Sequence, residues 1–209
     1  MIEKICSILT KKIRNKMPEI DDEKAEVIHY GLQLVIGEIP KNFILLLLAY
    51  FLGILKLTII AILITLPYKT FSGGVHLKTH VGCVLATSTF YMGNVFLSKT
   101  VVFANEYIQY VAVFGIWVFS MFMIKLYAPA DTESVPILRK KERNLKKILS
   151  YAAMTLTLAA GLIIQDNIIS NMLIFGTLIQ TLTITRFAYK ITNNKYGYEV
   201  YEQNREAAG

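Results

Sequence analysis

The sequence predicts an all-α integral membrane protein: about six transmembrane helices, an N-terminal amphipathic helix, and a short interfacial or buried helix. Three observations carry this expectation. Of 209 residues, 54% are hydrophobic, more apolar surface than a soluble core hides. Long apolar runs recur along the chain from Asn42 to Thr185. The basic residues behind the net charge of +7 sit in the connectors between those runs. There they set topology and meet anionic lipid headgroups, so nucleic acid is not the expected partner.

Residues 1–20 open the chain. Ile2, Ile5, Ile8, Leu9 and Ile13 recur with helical spacing, interrupted by Lys4, Lys11, Lys12 and Arg14, and no small-residue cleavage site follows. This predicts an amphipathic helix lying on the membrane rather than a cleavable signal peptide. Ala25 to Gly37 has helical periodicity (Val27, Ile28, Gly31, Leu32, Leu34, Val35) but carries Glu26, His29 and Gln33, with Glu38 and Pro40 beyond it. It reads as a separate short helix, interfacial or buried in protein.

The runs from Asn42 to Leu55 and from Leu57 to Leu66 are each at most about 22 Å long as helices. A hydrocarbon core is about 30 Å thick, so they read as a tight hairpin turning near Gly53 and Lys56. Val81 to Leu97 and Ile108 to Tyr127 are further spans. A basic connector, 128–147, holds Arg139, Lys140, Lys141, Arg143, Lys146 and Lys147. Ile148 to Ile164, a short Gln165-Asp166-Asn167 link and Ile168 to Thr185 follow, and then a polar tail, 187–209. No repeat and no second domain is visible, so residues 1–209 read as one membrane-embedded domain.

By the positive-inside rule the N-terminal lysines, the 139–147 run and the tail are cytoplasmic, whereas connectors 99–107 and 165–167 are external. Six crossings of the cell membrane with both ends inside satisfy this if 25–37 does not cross. If it does cross, either the N-terminus is outside or one hairpin arm is re-entrant. In the six-crossing layout residues 73–83 lie at the cytoplasmic edge.

That stretch, Gly73-Gly74-Val75-His76-Leu77-Lys78-Thr79-His80-Val81-Gly82-Cys83, holds the candidate chemistry. A thiolate is a strong nucleophile and imidazole is its usual activating base. His76 and Cys83 would stand about 10.5 Å apart along a straight helix, so the chain must bend for them to meet, and Gly73-Gly74 supplies that freedom. Thr79 is a candidate N-cap. It would set Cys83 near a helix N-terminus, where a thiolate is stabilised. His80, three residues before Cys83, is a rival base, and spacing does not choose between the two histidines. The plainer reading makes Cys83 a small core hydrophobe. Cys6 and Cys83 form no CxxC or His/Cys ligand set, so no metal or cofactor is implied, and two cytoplasmic thiols are not expected to pair. Thr87, Ser88, Thr89 and Asn94 would either line a groove or oxyanion site or pack helices together. Gln33, Glu38 and Gln180 are candidates for interhelix hydrogen bonds. A small-peptide transporter or exporter, or an assembly factor, is the alternative class. Against transport, no span holds paired charges and no inverted repeat is visible.

The stretch Lys69-Thr70-Phe71-Ser72-Gly73-Gly74-Val75-His76 followed by Cys83, together with Tyr127-Ala128-Pro129-Ala130-Asp131-Thr132, resembles the AgrB (accessory gene regulator protein B) family of membrane cysteine endopeptidases of Gram-positive quorum sensing. The resemblance implies a thiol protease that removes the acidic C-terminal tail of a small amphipathic pro-peptide, AgrD-like, and promotes its cyclisation to a thiolactone or lactone autoinducing peptide. Matched by position, His76 is the catalytic histidine, Cys83 the nucleophile and Gly74 a glycine needed for function, with Gly73 beside it. Lys69 stands where the family commonly has arginine, which keeps the charge and loses the two-pronged geometry. Asp131 would orient His76 or turn the loop after Pro129. Arg139, Lys140 and Lys141, with Arg143, Lys146 and Lys147, would draw the acidic tail or only set topology. The resemblance is also compatible with a homodimer.

Overall fold

The computed structural model describes all residues but 1, 18, 76, 78, 134, 135, 208 and 209, and only the backbone of 2–4, 22, 23, 26, 30, 33, 34, 38, 80 and 204–207. Its helices are α1 (Ile2–Lys16), α2 (Asp22–Phe51), α3 (Leu55–Ser72), α4 (His80–Thr100), α5 (Glu106–Tyr127), α6 (Lys140–Ile163), α7 (Asn167–Thr183), α8 (Arg186–Ile191) and α9 (Gly197–Ala207). Four of them, among the described residues, are long and apolar enough to cross a membrane: Leu55–Ser72, Val81–Thr100, Glu106–Tyr127 and Lys140–Ile163. Helices suit that setting because each satisfies its own backbone groups.

Several boundaries differ from the sequence reading. The separate helix expected at 25–37 does not exist: α2 runs unbroken from Asp22 through Pro40 to Phe51. The Asp21 carboxylate caps it, accepting a hydrogen bond from Lys24 N at 2.8 Å. Proline removes one helical hydrogen bond, but the leucine-rich turns after it are strong helix formers and Leu45 and Ala49 are fully buried. The chain then turns at Gly53, whose φ of 68° suits glycine. Lys56 already belongs to α3, which continues past Leu66 and through Pro67 to Ser72. The expected connector 128–147 is helical from Lys140 onward, where Lys146 pairs with Glu142 one turn earlier at 2.9 Å. The tail expected to be merely polar holds α8 and α9. At the N-terminus the amphipathic helix is α1, which packs on α2. Cys6 is buried there, and Thr10 Oγ1 lies 3.2 Å from His29 Nδ1.

The centre of the bundle is α7, which touches α3, α4, α5 and α6. Two apolar clusters flank it. One joins Ile124, Met154, Leu158, Ile174 and Ile184, and the other joins Leu45, Ala49, Ala61, Phe90, Val95 and Met172. Small and amide side chains let the helices approach. A Cβ on Gly176 would stand 2.9 Å from both Asn94 Nδ2 and Thr65 Cγ2, and Asn94 Nδ2 donates to Met172 O at 3.1 Å. Two ends of the bundle follow from the chain path. The 52–54, 101–105 and 164–166 links occupy one end, where Asn171 Nδ2 donates to Val101 O. The ends of α3, α5 and α7 and the starts of α4 and α6 meet at the other, with Lys69, Lys125, Arg139, Lys140 and Lys141 around them.

Candidate active site

The chain leaves α3 at Ser72 and enters a short extended segment, Gly73 and Gly74, with φ of 73° and 140°. Gly73 forms a parallel bridge with Ala130. Ala130 N donates to Ser72 O at 2.8 Å, and Gly74 N donates to Ala130 O at 2.9 Å. Val75 N then donates to Thr183 O at 3.2 Å, at the end of α7. Both glycines are required by space as well as by φ. A Cβ on Gly73 would run into the carbonyl of Ala130, and one on Gly74 would stand 2.8 Å from Thr183 Oγ1. The two motifs, far apart in sequence, are therefore one structure: residues 128–132 form the rail along which Gly73-Gly74 lies.

Gln180 completes the rail from the third side. Fully buried on α7, it donates its Nε2 to Gly73 O at 2.8 Å and to Ser72 Oγ at 2.9 Å. The expectation of an interhelix hydrogen bond holds for this residue. What the sequence did not reveal is that the partner is the Gly73 backbone. The one signal was a long amide in an apolar helix, which rarely goes unpaired. Nearby, Thr181 Oγ1 links Tyr68 OH at 3.0 Å and Ser120 Oγ at 2.8 Å. The side chains of Gln33 and Glu38 lie outside the described residues.

Thr79 does cap α4: its Oγ1 accepts from Gly82 N at 3.1 Å, and its carbonyl accepts from Cys83 N at 2.9 Å. Gly82 is needed there, because a Cβ would stand 2.7 Å from Thr79 Oγ1. Cys83 is half-buried in the first turn of α4, and both it and Cys6 are free thiols. A thiol so placed meets the positive end of the helix dipole. His76 lies outside the described residues, as does the His80 side chain. Lys69 Nζ sits 5.3 Å from the ring centroids of both Phe90 and Tyr91 on α4, a cation–π clasp. Thr87 and Ser88 are buried, Thr89 is exposed, and Asn94 is spent on Met172 and Ser98 in helix packing.

Asp131 is the turn-former of its connector. Its Oδ2 accepts from Ile137 N at 2.9 Å and from Arg143 at 3.0 Å, and the Arg143 guanidinium stacks over Tyr198 at 4.3 Å. Its carbonyl accepts from Tyr189 OH at 2.8 Å. Tyr189 and Tyr196 are stacked with ring centroids 4.0 Å apart. Burial pushes the ionisation of both phenols above the usual tyrosine range. Within the basic run, Arg143 and Lys146 are paired, and Lys147 Nζ donates to Lys125 O at 2.6 Å. Arg139, Lys140 and Lys141 are exposed. Among the described residues no group of His, Cys, Asp and Glu could hold a metal ion.

The family model for accessory gene regulator B matches residues 3–184. A protein of Listeria innocua serovar 6a, named for its likeness to AgrB, is 27% identical over 202 residues, 96% of this chain and 95% of that protein. A similarly named protein of Clostridium acetobutylicum is 24% identical over 196 residues, 94% of this chain and 91% of its own. One from Clostridium perfringens is 26% identical over 197 residues, 88% and 92%. No solved structure matches. The matched region contains the Gly73-Gly74 segment, its Ala130 rail and Cys83, and by the extent of that match this chain belongs to the accessory gene regulator B family.

Proposed function

We propose that this protein is a membrane-embedded cysteine endopeptidase. It cuts the acidic C-terminal tail from a small amphipathic pro-peptide and promotes closure of the remaining peptide into a thiolactone or lactone signal. Family membership supports the coarser part, a role in autoinducer peptide processing. The observation that carries the finer part is the half-buried Cys83 in the capped first turn of α4, a few residues after a backbone segment held on three sides by Ala130, Thr183 and Gln180. Immobilising a reactive segment this way is how a fold holds near-attack geometry.

In this reading His76 takes the proton of Cys83. The thiolate attacks the carbonyl carbon of the scissile peptide bond, forming a tetrahedral intermediate. That intermediate collapses to a thioester on Cys83 while His76 returns the proton to the departing amine of the tail. A thiol or hydroxyl of the bound peptide then attacks the thioester, closes the ring and releases the Cys83 thiol. The thioester must be shielded from water, because hydrolysis would give a linear acid. In this reading α2 to α7 make six crossings with the Cys83 end at the cytoplasmic face, a side that the lysines and arginines gathered there support. The peptide substrate, lying on the membrane, would reach the site in two dimensions.

The test is co-expression with a pro-peptide encoded beside this gene, followed by mass analysis of the peptide. Loss of the tail with the wild-type protein, and its retention with Cys83→Ala and with His76→Ala, is the expected result. Tail removal that survives Cys83→Ala would end the peptidase reading.

A further inference from the structure

At the Cys83 end of the bundle a pocket of about 410 Å³ opens between α8, the turn after it and α9. The stacked rings of Tyr189 and Tyr196 line it. Both phenols are already spent on backbone carbonyls, Tyr189 on Asp131 O and Tyr196 on Ile184 O, each at 2.8 Å. The two rings are therefore held in place and make no polar demand on an occupant. The walls carry Arg186, Lys190 and Lys195 against a single acid, Glu199.

Two of these cations already hold carboxylates of the chain itself. Arg186 grips Glu199 at 2.6 Å, and Lys195 lies 3.8 Å from Glu133. All four side chains are well exposed, so each pair contributes about 0–1 kcal/mol and exchanges readily. Lys190 has no side-chain partner among the described residues. The pocket thus offers an incoming acid one open cation and two held in exposed pairs that it can replace.

We propose that this pocket is a docking site for an acidic peptide segment, which deepens the peptidase reading above and rests on it for the identity of that segment as the substrate's tail. A peptide suits the pocket better than a lipid headgroup. Asn193 and Gln203 on the wall offer both donors and acceptors, which match the N–H and C=O groups of a peptide backbone, whereas a lipid phosphate would use the donors alone. The position also fits. Tyr189 hangs from the carbonyl of Asp131, next to Ala130, which carries the Gly73-Gly74 segment. A tail held here is anchored on the same rail as the residues leading to Cys83. By contrast, Arg143, Lys146 and Lys147 of α6 are committed to contacts within the protein. The family model ends at residue 184, before this pocket begins.

The test uses the full chain in nanodiscs of neutral phosphatidylcholine and a fluorescent peptide of alternating Glu and Ser, with its Gln/Ser counterpart as the uncharged probe. The acidic peptide should bind and the Gln/Ser peptide should not. Lys190→Glu/Lys195→Glu should weaken binding at least tenfold. Lys56→Glu/Lys99→Glu, the same charge change at the opposite end of the bundle, should change it less than twofold. Equal binding by the two peptides, or equal loss in the two double variants, overturns the proposal. So does displacement of the peptide by phosphatidylglycerol added to the disc, which would make the pocket a headgroup site. Binding is read on Cys83→Ala as well. Cleavage that persists in Cys83→Ala sinks the peptidase reading and leaves the peptide-binding result standing, whereas wild-type cleavage with pocket-independent binding sinks this proposal alone.

Discussion

A methyl group at residue 73 would occupy the place of the Ala130 carbonyl, on a backbone whose φ of 73° already disfavours any residue with a Cβ. Gly73→Ala must therefore either push the 128–132 rail away or rotate out of the bridge. The conformational part alone costs at least about 1 kcal/mol, and the backbone clash adds to it. The expected outcome is a lower melting temperature in detergent and loss of tail removal. A variant that melts and cleaves like the wild type would mean the rail is not what holds the segment. The double glycine was legible in the sequence as a bend. What it bends around was not, because a bridge between residues 57 positions apart leaves no local signal. Asp131 shows the same limit. Its motif stood out, but that its carboxylate would meet Ile137 N and Arg143 depends on where α6 begins.

Among the elements, the start of α4 is legible in the sequence because it rests on local chemistry: Thr79 supplies the oxygen, and Gly82 leaves room for it. Thr79→Ala removes that oxygen and should cost about 1 kcal/mol, while Thr79→Ser should restore most of it. Because Cys83 lies in the turn so capped, its alkylation by a small maleimide at neutral pH should slow in Thr79→Ala and recover in Thr79→Ser. An unchanged rate in the alanine variant would detach the thiol's reactivity from the cap. The misread elements fail for the opposite reason, that their limits are set by distant packing. Proline and polar residues near position 40 looked like a boundary, yet α2 passes through, its later turns held by buried Leu45 and Ala49. The lysine-rich start of α6 looked like a solvated loop, yet Glu142–Lys146 and Asp131–Arg143 draw it into helix.

Across the whole molecule, the alternation of helices puts three links, 52–54, 101–105 and 164–166, at one end, and both ends of the chain with the Cys83 turn at the other. Charge divides along the same axis. Lys125, Arg139, Lys140, Lys141, Arg186, Lys190 and Lys195 cluster at the Cys83 end, while the far end offers Lys56 and Lys99 beside Glu106 and Asp166. Short loops rich in lysine and arginine stay in the cytoplasm, so the far links should be external. Single cysteines at exposed positions settle the orientation in intact cells, in a background of Cys6→Ser/Cys83→Ala. Ala104→Cys and Gln165→Cys should react with a membrane-impermeant maleimide added outside, and Tyr201→Cys should react only after permeabilisation. The reverse pattern would turn the molecule over and put the Cys83 turn on the outer surface, where a pro-peptide still in the cytoplasm could not reach it. A mixed pattern, with Ala104→Cys labelled and Gln165→Cys shielded, would mean that α6, which starts at the cytoplasmic end, does not carry residue 165 to the outer face. An α7 that then crossed would end outside, opposite the end of α5, which the shared contacts of Ala130 and Thr183 with Gly74 and Val75 do not permit, so neither α6 nor α7 would span.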